Sequence, residues 1–85
     1  MDRYVLTITA DDKPVLLERV LRVIRHRGFI IKKVTATQNQ TSKVASIEII
    51  VDSIRPITTL IHQVEKLWDI RHVESALITT NEPAL

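Results

Sequence analysis

Arg19, Arg22, Arg25, His26 and Arg27 fall within nine residues and are the densest group of side chains able to bind something. A basic cluster of this density raises two binding classes, nucleic acid and, as the better alternative, a partner protein surface. Twelve Lys and Arg against ten Asp and Glu leave a formal charge of only +2, too near neutral to single out nucleic acid. Two readings of the cluster stay open. It is a solvated helix face whose cations favour the negative end of the helix dipole, or Arg19, Arg22, Arg25 and His26 form a partner-binding face. His26, His62 and His72 are scattered, with no carboxylate at ligand spacing, and read as surface or packing residues rather than a metal site. No cysteine is present, which removes disulfides, zinc-thiolate sites and a thiol nucleophile and fits a reducing compartment. Gly28 is the only glycine, so no phosphate cradle or dinucleotide fingerprint can be built. Serine and threonine hydroxyls have no legible His/Asp arrangement. A chain without catalytic, metal or cofactor residues of its own is the expectation.

Asp11, Asp12 and Gly28 form the remaining constellation. In one reading Asp12 caps a helix and Gly28 ends it. In the other, a neighbouring subunit brings the two ends of that helix together as a pocket.

The elements that would position these residues follow from hydrophobic period. Tyr4, Leu6 and Ile8 alternate with Val5, Thr7 and Thr9, which predicts a strand over residues 3–9. Asp11-Asp12-Lys13-Pro14 stops it and supplies N-cap chemistry for a helix. Leu16, Leu17, Val20, Leu21, Val23 and Ile24 lie within an arc of about 160°, with Glu18 and the cations opposite. Glu18 and Arg22 form an i,i+4 pair, and Gly28 sits where a left-handed C-cap is wanted. Residues 29–37 read as a second strand with Ile30, Lys32, Val34 and Ala36 on one face and Ile31, Lys33, Thr35 and Thr37 on the other. Residues 38–42 read as a hairpin loop, 43–51 as a third strand, and 73–79 as a fourth. Arg55-Pro56 opens a second helix, with Ile57, Leu60, Ile61, Val64 and Leu67 on one face, that ends near Trp68-Asp69.

The order β-α-β-β-α-β predicts an α+β, ferredoxin-like fold: a four-stranded antiparallel sheet, first and third strands central, with both helices on one face. One domain over residues 1–80 and a loose polar tail over 81–85 are expected. A small core and a second strand guarded at its edge only by Lys32 and Lys33 predict a homodimer through that edge, with a continuous eight-stranded sheet. The RNA recognition motif has the same element order but stacks bases on aromatics of the first and third strands. Here the third strand has none and the first offers only Tyr4, so no nucleic-acid partner is expected. No apolar run approaches membrane-spanning length and the first, residues 4–8, is too short for a signal peptide, so a cytoplasmic chain is expected.

LERVLRVIRHRGF at residues 17–29 resembles the ACT domain of acetolactate synthase small subunits, most nearly the short isozyme II type. LWDIRHVESA at residues 67–76 is similar to the stretch that opens the last strand in that family. Element order agrees from about residue 3 to residue 79. The resemblance implies a regulatory subunit that binds and activates a large catalytic subunit carrying thiamine diphosphate, FAD and magnesium in branched-chain amino-acid synthesis. A stand-alone amino-acid-binding domain of another metabolic enzyme is the alternative. It also implies an effector pocket at the dimer interface, here Asp11, Asp12, Val15, Gly28, Phe29 and Ile30. Asp12 matches an effector-binding Asn or Asp, and Gly28 matches a turn glycine. Val15 stands in place of a helix-start glycine and Ile30 in place of an Asn. Both departures imply a weak or absent response to valine.

Overall fold

Alternation and helical period set six elements in a computed structural model that describes residues 1–13, 15–39 and 41–78. They are β1 (Asp2–Asp11), α1 (Leu16–His26), β2 (Ile30–Asn39), β3 (Val44–Ser53), α2 (Ile57–Glu65) and β4 (Ile70–Ile78). The sheet order is β2-β3-β1-β4 with every pair antiparallel, so β1 and β3 are central as expected. The expected tail, the end of the fourth strand at Thr79, Pro14 and Gln40 lie outside the described residues.

Leu6 pairs with Ile49 and Ile8 with Ile47, all four buried, which defines the inner face of the sheet. Leu16, Val20 and Ile24 of α1 and Leu60 and Val64 of α2 close over it in one apolar cluster with Phe29 and Val73. Both helices therefore cover a single face. On the opposite, open face Val5 lies between Ile50 and Ala76, and Arg3 stands directly across from Asp52. The Arg3 guanidinium donates to both Asp52 carboxylate oxygens at 2.7 and 2.9 Å. Those bonds hold the Asp52 carboxyl below the usual carboxylate range against a smaller opposing effect of burial.

The expected faces of β2 are corrected by a bulge. The register with β3 slips between Ile31 and Lys33, so Lys32 is the extra residue and the phase of alternation flips there. Ile31 consequently joins Val34 against the core, while Ile30 lies across from Asp52 and is 49% exposed. One continuous apolar face results, where unbroken alternation left two mixed ones.

The start of α1 also differs from expectation. Its N-cap is Val15, with no side-chain cap, and Asp12 does not cap the helix. Val15 adopts φ 62°, ψ 4°, a left-handed conformation that strains a β-branched residue. The other end is as expected. Gly28 has φ +83°, its N–H donates to the Arg25 carbonyl, and the Phe29 N–H reaches back to the Ile24 carbonyl, with both apolar side chains in the core. The exposed Glu18–Arg22 pair forms at 3.6 Å. α2 stops at Glu65, earlier than expected, because Asp69 takes φ 75° and the chain must turn into β4, which begins at Ile70. Leu67 still packs on the core from the turn. In the β2–β3 hairpin the Asn39 side chain accepts from the N–H groups of Thr41 and Ser42, an Asx-type turn.

Candidate functional site

Two concave features lie at opposite ends of α1. The larger, a groove of about 570 Å3, is bounded by the β1–α1 connection and the start of α1 on one side (Asp12, Lys13, Val15 to Glu18) and the sheet on the other (Ala36, Gln38, Ala45, Ile47). β1 delivers its two aspartates in different directions. The Asp11 N–H donates to the Asp69 carbonyl at 2.8 Å, and its carboxylate accepts from Arg71 Nε at 2.6 Å, which ties it to β4. Asp12 instead donates its N–H to the Lys43 carbonyl at 2.9 Å and accepts at Oδ1 from Gln38 Nε2 at 3.0 Å. Its carboxylate is thus held at the groove by the hairpin. Lys13, Glu18 and Gln38 line the groove together with Asp12, so charges of both signs stand beside an aliphatic wall of Val15, Leu16, Leu17 and Ile47. Val15, 55% exposed, puts two methyl groups at the rim beside the helix start.

Of the sequence-derived pocket residues, only Asp12 and Val15 line this groove. Asp11 is engaged elsewhere. Gly28, Phe29 and Ile30 lie at the far end of α1, so within one chain the structure does not bring the two halves together. Phe29 is 3% exposed, and its larger part is in core packing. Gln38, Ala36 and Ala45 were not anticipated. Their only sequence signal is the hairpin, which places Gln38 opposite Ala45.

The second feature is cationic. His26, Arg27, Gly28, Phe29, Arg55, Pro56 and Thr59 line a cleft of about 260 Å3 where α1 ends and α2 begins. It adjoins a hollow of about 350 Å3 lined by Arg22, Val23, His26, Arg27 and Gln63. Arg19, Arg22, Arg25 and His26 are all exposed on α1, as expected, but only Arg22 and His26 face these hollows. Arg55 was not singled out in the sequence. Its guanidinium lies over Gly28, where an added Cβ would come within 3.0 Å of Nε.

Among the described residues, no three His, Cys, Asp or Glu side chains are grouped to hold a metal ion, and no helix is long and apolar enough to cross a membrane.

The chain combines a βαββαβ fold with an open groove at the head of α1, and residues 12–73 match the family described as the ACT domain. In sequence the chain is 36% identical over 80 residues to the acetolactate synthase isozyme 2 small subunit of Escherichia coli K12, covering 94% of this chain and 92% of that one. The same protein of Shigella flexneri matches equally. The chain therefore belongs to the ACT-domain family, with the small subunits of acetolactate synthase. Among solved structures, the acetolactate synthase small subunit of Thermotoga maritima superposes with a TM-score of 0.76 at 21% identity, over 88% of this chain and 47% of that one. The ACT domain of a Chlorobium tepidum GTP pyrophosphokinase gives 0.75 at 18%, over 89% of this chain and 100% of that one. At these identities the likeness is one of fold.

Proposed function

We propose that this chain is a non-catalytic regulatory subunit that binds the large catalytic subunit of acetolactate synthase and raises its activity in branched-chain amino-acid synthesis. The observation that carries this is the 36% identity to an isozyme 2 small subunit across nearly the full length of both chains. Thiamine diphosphate, FAD and magnesium belong to the large subunit in this reading. Activation is a population shift, in which the small subunit binds the competent conformation of the enzyme more tightly than the others. The working unit is a homodimer joined through β2, whose outer edge offers Thr35, Ala36 and Thr37, all exposed. Response to valine is weak or absent, because Val15 crowds the head of the groove that an amino acid would enter.

A stand-alone amino-acid-binding domain is the second reading, favoured by the groove beside Asp12. Affinity capture from the native cell extract separates the two. Recovery of a large thiamine-diphosphate enzyme supports the subunit reading; a bound amino acid with no protein partner supports the other.

A further inference from the structure

We propose that the cationic trough between the end of α1 and the start of α2 is a docking site for an acidic segment of the large catalytic subunit. The proposal rests on the regulatory-subunit reading above and names the surface through which it operates. Arg22, His26, Arg27 and Arg55 line the trough, and among the described residues no acidic side chain does. Among the described residues Arg27 and Arg55 make no ion pair, and Arg22 has only its exposed 3.6 Å contact with Glu18 to give up. The helix-dipole explanation accounts for cations in the last turn of α1, but not for Arg55, which arrives from the β3–α2 loop.

That loop is braced. The Arg55 N–H donates to Ser53 Oγ at 2.8 Å, and Ser53 is 3% exposed. The Arg55 guanidinium then lies across Gly28, whose missing side chain leaves it room beside the end of α1. Two chain segments distant in sequence thus bring guanidinium groups to one cleft. Guanidinium forks pair with carboxylates in two-point contacts. Two adjoining hollows of about 260 and 350 Å3 along an exposed surface fit an extended stretch bearing more than one carboxylate.

The test measures binding of the full chain to the purified large subunit by calorimetry, from low to high ionic strength. Arg27→Glu/Arg55→Glu is the variant, and Lys66→Glu, just past the opposite end of α2, is the control. Arg27→Gln/Arg55→Gln serves if the double reversal perturbs folding, which circular dichroism checks. The expected result is binding that weakens with salt, at least tenfold weaker for the double reversal and unchanged for Lys66→Glu. Equal affinity of all three proteins overturns the surface while leaving the regulatory-subunit reading intact. No binding by the wild-type chain overturns that reading and the surface with it. Unchanged affinity for the large subunit alongside lost binding of inorganic phosphate or of a single-stranded oligonucleotide would reassign the trough and overturn the proposal.

Discussion

Val15→Gly and Val15→Ala, compared with each other, isolate the strain at the head of α1. Val15 sits at φ 62°, where an L-residue pays about 1–2 kcal/mol relative to glycine. Both variants discard the two methyl groups of valine, so the partial burial of a side chain that is 55% exposed largely cancels between them. At an ordinary negative φ, alanine is the more stable of the pair by about 0.5–1 kcal/mol, because glycine has more backbone freedom to lose. At Val15 the left-handed penalty exceeds that term, and the order inverts. Glycine is expected to be the more stable by up to about 1.5 kcal/mol, and each kcal/mol corresponds to roughly 4–8 °C in the melting temperature of a domain this size. Urea and thermal unfolding of the two variants give the sign directly. Alanine proving more stable than glycine would refute a left-handed Val15. Val15→Gly also clears the rim of the groove, so titration calorimetry should find tighter valine binding than for the wild type, abolished by Asp12→Ala. Sub-millimolar binding by the unmodified chain would show that Val15 does not close the pocket.

Gly28→Ala places a side chain at φ +83° and is expected to cost about 1–2 kcal/mol in urea unfolding; no loss would mean that the turn is not left-handed. Asp52 titrates below the usual carboxylate range in the folded chain because Arg3 hydrogen bonds to it. The unfolded chain therefore binds the proton first as pH falls, so the stabilisation is present above the ordinary carboxylate range and lost as pH falls through the lowered folded value. Asp52→Asn should flatten that acid limb in unfolding midpoints measured against pH; an unchanged limb would assign it to other groups. Thr35→Lys sets like charges near each other across a β2–β2 edge, so light scattering should report a shift from dimer to monomer. A wild-type chain that is already monomeric at micromolar concentration would remove the dimer from the account.

α1 was legible because its signals are local: a 3.6-residue apolar period from Leu16 to Ile24, and a glycine two residues past its end. The order of strands followed from the alternation of helices and strands, with the sheet fixing which edges remain. β2 was misread where its structure depends on another strand, since a bulge at Lys32 is specified by pairing with β3 and leaves no mark in the alternation of β2 itself. Val15 contradicts its own backbone preference, and a β-branched residue in a left-handed turn is invisible to any reading based on propensity. Asp12 carried the right residue type for a cap, yet Gln38 and Lys43 claim it from the hairpin. Arg55 was missed for a similar reason. Its significance lies in lying over Gly28, a contact between segments far apart in the sequence.

Reconstitution tests the central claim most directly: purified large subunit is titrated with this chain, and acetolactate formation is followed at saturating pyruvate, thiamine diphosphate, FAD and magnesium. A rate that rises with added chain and levels off at a fixed stoichiometry, with no turnover by the chain alone, is the outcome expected of a regulatory subunit. A rate unchanged at saturating small subunit would contradict it.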